Sequence, residues 1–127
     1  MNIAEVTAYL ESIAPPSLQE NYDNAGLLTG NADEEVRGIL VCLDSTEAVI
    51  DEAVSLGCNL VIAHHPIIFG GLKRLNGSNY VERTIIKAIQ NNIAIYAIHT
   101  NLDNVYQGVN KRIADTLELH NCSILAP

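Results

Sequence analysis

Positive charge is scarce in this chain. Seven lysines and arginines stand against fifteen aspartates and glutamates, a formal net charge of −8 over 127 residues. Broad, sequence-independent nucleic-acid binding needs a Lys/Arg surface to displace phosphate counterions, so that class of partner is disfavoured. Long apolar runs are missing too: no stretch reaches the ~18 residues of a membrane span. The opening MNIAEVTAYLESI lacks the basic region of a secretory signal. The expectation is a cytoplasmic protein with no membrane partner. Cysteine is sparse: Cys42, Cys58 and Cys122 are odd in number and form no C-x-x-C pair. That spacing suggests neither a disulfide framework nor a thiolate zinc site. Any metal would fall to nitrogen and oxygen ligands. The chain also carries no internal repeat and no low-complexity segment.

What is present fits a globular fold. Hydrophobic residues make up 48% and charged residues 17% of the chain, and the length suits a single domain over residues 1–127. Ile3, Val6, Leu10 and Ile13 recur at helical spacing, and Pro15-Pro16 ends that helix. Tyr22-Asp23-Asn24 reads as a turn, and Gly26 to Thr29 as a short strand closed by Gly30. The continuous apolar run Gly38 to Leu43 predicts a strand buried on both faces, with Cys42 a small buried hydrophobe within it. Asp44 and Glu47 are spaced like a capping box that opens a helix with Val49, Ala53 and Leu56 on one face, stopped by Gly57.

A second buried strand, Leu60 to Ala63, runs directly into His64-His65-Pro66. Residues 67–79 form a long loop, and an amphipathic helix follows over about 80–91. A third apolar strand, Ile93 to Ile98, leads into His99-Thr100-Asn101-Leu102-Asp103. The last helix, about 107–119, places Val109, Ile113 and Leu117 on one face. Alternating helices and strands predict an α/β fold with a mainly parallel sheet and helices on both faces.

Ligands of an open α/β sheet bind outside the carboxyl ends of its strands. Three predicted strands end there on polar groups: Asp44, then His64-His65, then His99 followed by Asp103. Histidine and carboxylate together suit zinc, iron, manganese, nickel or cobalt. Adjacent strand residues point to opposite faces, while Pro66 turns the chain, so the two imidazoles are placed to serve two ions rather than chelate one. The alternative is that they are ordinary polar groups capping a strand end. Asp44 reads as a helix N-cap rather than a ligand. Asp23 reads as a turn former, with a supporting role behind the site left open. His120 reads as exposed. Lys73, Arg74, Arg83 and Lys87 fall close together and read as a charged loop leading into a solvated helix face; the alternative is steering of an anionic substrate.

The motifs Tyr22-Asp23-Asn24-x-Gly26-Leu27, Ala63-His64-His65-Pro66-x-x-Phe69 and Ala97-Ile98-His99-Thr100-Asn101-Leu102-Asp103, in that order, resemble the Ngg-one-interacting factor three-like family. Many of its members are named GTP cyclohydrolase 1 type 2. The resemblance covers nearly the whole chain. It implies a dinuclear metal protein of α/β fold, often a toroidal hexamer, in which His64, His65 and Asp103 match metal ligands. His99 matches a histidine beside the site that is not an established ligand, and it is the candidate catalytic proton carrier. The family's remaining ligands, from an H-x-x-x-E motif, lie in the C-terminal half of its proteins, and no such motif occurs here. The chain is therefore expected to correspond to the N-terminal half of a two-part fold, to bind metal weakly by itself and to be inactive in isolation.

Two function classes follow from these residues and the resemblance. One is a hydrolase with two divalent metal ions, of the GTP cyclohydrolase 1 type 2 kind, acting on a small nucleotide-like substrate; a metal-dependent phosphoesterase is its near variant. The other is a non-catalytic metal-binding interaction or regulatory protein.

Overall fold

A computed structural model describes residues 1–124; the last three positions of the expected 1–127 domain lie outside the described residues. Helix α1 covers Ile3–Ile13 and starts on a full capping box. The Asn2 side chain accepts from the Glu5 backbone at 2.9 Å, while Glu5 accepts from the Asn2 backbone at 2.8 Å. A single 3-10 turn, Pro16–Leu18, separates it from strand β1, Gly26–Thr29. Then come β2 (Ile39–Asp44), α2 (Glu47–Ser55), β3 (Leu60–His65), α3 (Tyr80–Gln90) and β4 (Ala94–Ala97). A one-turn helix α4, Thr100–Asp103, and α5, Val109–Thr116, complete the order. Gly57 ends α2 with φ at +70°, a conformation that costs glycine least, and the next N–H, Cys58, returns to Ala53 O at 2.9 Å.

The sheet has four strands in the order β1-β4-β3-β2. β2, β3 and β4 pair in parallel, and β1 lies antiparallel on β4. The expected α/β class with a mainly parallel sheet is what the chain adopts. Helices cover both faces. On one, Ile3 and Val6 of α1 pack with Leu60, Ile62 and Tyr96. On the other, Ile50 and Ala53 of α2 and Ile85 and Ala88 of α3 pack with Val61 and Ile95. Burial pushes the Tyr96 phenol up to about 12, with the Glu11 carboxylate adding to the shift.

Several expectations are corrected here. β2 is not buried on both faces: it is an edge strand, and Val41 is 73% exposed. Ile39 and Val41 share the face of Leu60 and Ile62, their register partners, but α1 lies over β3 and β4 and leaves β2 uncovered. Only Leu40 and Cys42 pack inward, and burial pushes the Cys42 thiol up. Asp44 is not the cap of α2. Thr46 holds that place, its hydroxyl accepting from the Val49 backbone at 3.3 Å, because the strand runs on through Asp44. The buried face of α2 is Ile50 and Ala53, while Leu56 is exposed past the helix end. The stripe Val109, Ile113 and Leu117 is also uncovered; no residue of α5 is buried, and the one-turn α4 before it was not anticipated.

Two of the clustered cations belong to the α2–α3 contact. Arg83 meets Glu47 at 2.9 Å and Lys87 meets Asp51 at 2.7 Å, so the helix-face reading holds for these two. The end of the 67–79 loop is tied to α3 by Glu82, which accepts from the Ser78 backbone at 2.9 Å, the Asn76 backbone at 3.2 Å and the Asn79 side chain at 2.8 Å. Led by the bond from the Ser78 backbone, these donors hold the Glu82 carboxyl below its ordinary value.

Ile95→Ala, in the fully buried centre of β4, is expected to cost ~2–5 kcal/mol, whereas Val41→Thr on the open face of β2 should stay within ~0.5 kcal/mol. Urea unfolding of both variants checks the assignment of edge and centre. A second expectation concerns acid. A carboxyl with a depressed folded-state pKa stabilises the fold above its unfolded pKa, and that contribution disappears as pH falls through the folded value. Glu82→Gln should therefore be less stable than the parent chain at pH 7, and the gap in urea midpoint should close as pH falls below about 4.

Candidate metal centre

The parallel register sets Asp44 beside His65 and brings the C-terminal ends of β2, β3 and β4 to one edge. His64 and His65 are the last two residues of β3, and His99 follows β4 by two positions. Their rings meet: the centroids are 4.9 Å apart for His64 and His65, 5.2 Å for His64 and His99, and 5.4 Å for His65 and His99. One donor atom from each imidazole lies within 4.8 Å of the others. Asp103, at the end of α4, places a carboxylate oxygen 3.8 Å from His64 Nε2. That is too long for a hydrogen bond. It is within the reach of two donors that each sit ~2.0–2.2 Å from a shared ion.

Hydrogen bonding decides which nitrogen of each ring is free. His64 Nδ1 is 2.9 Å from the Ile98 carbonyl. His65 Nδ1 is 2.8 Å from Asp44, and His99 Nδ1 is 2.8 Å from Asp23. All three partners only accept, so each Nδ1 carries the proton and donates. In the neutral imidazole this leaves the Nε2 lone pair of all three rings available. The arrangement is that of metal-ligating histidines held from behind by a carboxylate or a carbonyl. With a carboxylate added and no thiolate, the donor set fits the zinc, iron, manganese, nickel or cobalt group of ions.

His64 is largely buried and His65 is half exposed. Asp23 is the most enclosed group of the site, its side chain 0% exposed. Burial pulls its carboxyl upward, but hydrogen bonds from His99, the Thr100 side chain and the backbones of Asn24 and Thr100 together hold it below its ordinary value. Two clefts of about 300 Å³ open beside the cluster. One is lined by His65, Asp44, Ser45 and Tyr80, the other by Asp103, Tyr106, Lys111 and Cys122. Phe69 stands edge-on to His99, ring centroids 6.3 Å apart.

The chain thus gathers His64, His65, His99 and Asp103 at one place, and His120 is exposed and not a member of the imidazole cluster. The sequence read Asp23 as a turn former and left open a supporting role behind the site. The turn is real, since the Asp23 backbone donates to the Glu20 carbonyl at 3.0 Å, but the Asp23 carboxylate reaches His99 across 76 positions. Asp44 likewise serves His65 rather than a helix cap. No local pattern signals either contact.

Comparison with known proteins identifies relatives of the chain. The family model described as Duf34/NIF3 (NGG1p interacting factor 3) matches residues 1–127. The chain is 40% identical over 126 residues to a GTP cyclohydrolase 1 type 2 homolog of Clostridium acetobutylicum, covering 99% of this chain and 47% of that protein. It is 44% identical over 125 residues to the protein of the same name in Staphylococcus epidermidis, covering 98% and 34%. Among solved structures, a Bacillus cereus protein related to NIF3 superposes with a TM-score of 0.92 at 44% identity, covering all of this chain and 35% of that one. Reduced HcgD from Methanocaldococcus jannaschii superposes with a TM-score of 0.90 at 29% identity, covering 99% and 50%. The chain therefore spans between about a third and a half of the length of these relatives.

Because His64 and His65 stand at the sheet edge, truncating them opens no large cavity. His64→Ala is expected to cost ~0.5–1.5 kcal/mol, the net worth of its bond to Ile98, and His65→Ala less, since its bond to Asp44 is exposed. Thermal unfolding of the two metal-free variants measures this; a loss of several kcal/mol in either would mark a core residue.

Proposed function

Because the chain belongs to the Duf34/NIF3 (NGG1p interacting factor 3) family, we propose that it supplies part of a dinuclear metal-dependent hydrolase of the kind its relatives are named for, acting on a nucleotide-like substrate. One observation carries this reading: three imidazoles, each with Nδ1 already engaged, face one another beside a carboxylate at the open edge of the sheet. His64, His65 and Asp103 would hold two divalent ions, together with ligands from the rest of the longer protein. Such ions supply Lewis acidity and make water a nucleophile near neutral pH.

The chain's own groups do the remaining work. His99, anchored through Nδ1, keeps Nε2 free to take a proton from the attacking water and return it to the leaving group. Asp44 and the Ile98 carbonyl hold His65 and His64 in the tautomer that donates a lone pair. The two clefts that end at His65 and at Asp103 provide room for a substrate on either side of the cluster. A phosphoesterase would use the same donors, and fold does not choose between the two reactions. On the family resemblance we also assign the full-length protein a hexameric assembly and a cytoplasmic setting.

The test uses the full-length protein loaded with Zn²⁺ or Mn²⁺, with elemental analysis and turnover of GTP and of bis(p-nitrophenyl) phosphate. Two ions per chain and hydrolysis of GTP are expected. His64→Ala and His65→Ala should lose metal, while His99→Gln should retain it and lose ~10²–10⁴-fold in turnover. Bound metal without turnover of either compound would favour the non-catalytic metal-binding reading. Metal loss in His99→Gln equal to that in His64→Ala would make His99 a ligand.

A further inference from the structure

We propose that Asp23 is the positioning residue of this centre: its buried carboxylate fixes which nitrogen of His99 is free and, through Thr100, where the helix carrying Asp103 begins. One oxygen accepts from His99 Nδ1 at 2.8 Å and from the Asn24 backbone at 2.7 Å. The other accepts from the Thr100 backbone at 3.0 Å and from the Thr100 hydroxyl. Four donors converge on a group with no solvent exposure. An ionised carboxylate accepts at both oxygens and donates nothing, so it satisfies all four; an amide has one accepting oxygen and would turn N–H groups toward the remaining donors.

The consequence for His99 is chemical. A ring with Nδ1 unprotonated would set a lone pair against the carboxylate, so the proton is confined to Nδ1 and Nε2 is left open. The consequence for Asp103 is geometric. Thr100 is the first residue of the four-residue α4 and Asp103 its last, so fixing the Thr100 N–H and hydroxyl fixes the start of the single turn that presents the carboxylate. The Thr100 hydroxyl in turn accepts from the Glu20 backbone at 3.0 Å, and Asn101 and Asn104 reach Ala14 O and Leu18 O at 2.8 Å each. The segment between α1 and β1 is thereby locked to the far end of the chain with Asp23 at its centre. His99 is held through Nδ1 by this one side chain, and the turn that carries Asp103 is held by it together with Asn101 and Asn104, while His64 and His65 have other supports.

The effect on metal binding rests on the metal-centre reading above; the tautomer of His99 does not. The experiment records long-range ¹H–¹⁵N correlations of the imidazole rings in the metal-free chain, and zinc affinity of the full-length protein by calorimetry, for the parent sequence, Asp23→Asn and Thr100→Val. The parent should show His99 protonated at Nδ1. Asp23→Asn should shift His99 toward the Nε2-protonated form, leave His64 and His65 unchanged, and weaken zinc binding ~10–100-fold. Thr100→Val, which keeps the bond from His99 to Asp23, should preserve the His99 tautomer even where it lowers the melting temperature. An unchanged His99 tautomer in a folded Asp23→Asn, or the same tautomer shift in Thr100→Val, would overturn the assignment and reduce Asp23 to a structural group. Should Asp23→Asn not fold, the parent spectrum decides alone: His99 protonated at Nε2 is incompatible with the proposal. Absence of zinc binding by the full-length parent would count against the metal reading only, and the tautomer would still decide the role of Asp23.

Discussion

Parallel pairing of β3 with both its neighbours is the constraint from which the rest of the molecule follows. Parallel strands run in one direction, so β2, β3 and β4 deliver their C-terminal residues to a single edge, where Asp44, His64, His65 and His99 come together. The same pairing obliges the chain to cross over between strands, which places α2 and α3 on one face and leaves α1 to close the other. β3 is buried from Leu60 to Ala63 and opens only at its two histidines. A fully buried stretch of the sheet therefore ends in the histidine cluster, and a site built on a packed strand keeps its geometry better than one built on a loop.

At that edge the chain separates two tasks. Side chains that face the centre offer nitrogen or oxygen lone pairs. Groups behind them, the Ile98 carbonyl, Asp44 and Asp23, accept the Nδ1 protons and set each ring's orientation. The supports differ in environment. Asp44 is exposed and its pair with His65 is screened by water, whereas Asp23 is enclosed and its bonds are made in a medium where an unpartnered donor would be costly. The centre is thus held firmly on the side of His99 and more loosely on the side of His65.

Two apolar surfaces stay uncovered among the described residues: the outer face of β2 with Val41 and Leu43, and the stripe Val109, Ile113 and Leu117 on α5. The burial of β2 was misjudged from sequence, for a reason that the α5 stripe illustrates too. An apolar run or a 3.6-residue stripe states that a face prefers to leave water; it does not state that something arrives to cover it. The run Ile39 to Leu43 has the composition of a central strand, yet β2 stands at the sheet's edge, where one face finds α2 and the other finds no helix.

The sequence by itself determined the elements and their order, apart from the one-turn α4 and the 3-10 turn after α1. Helical spacing of apolar residues, continuous apolar runs, the proline pair after α1 and the glycine after α2 are local signals. It also placed histidines at the ends of two successive strands, from which a metal edge could be read once the strands were taken as parallel. Tertiary structure alone decided the strand order, the exposure of β2, the transfer of Asp44 from helix cap to partner of His65, and the contact of Asp23 with His99 across 76 positions. These are pairings between distant segments. A carboxylate in a turn looks the same in sequence whether it faces water or an imidazole, and only the packing of α4 against the segment after α1 chose between them.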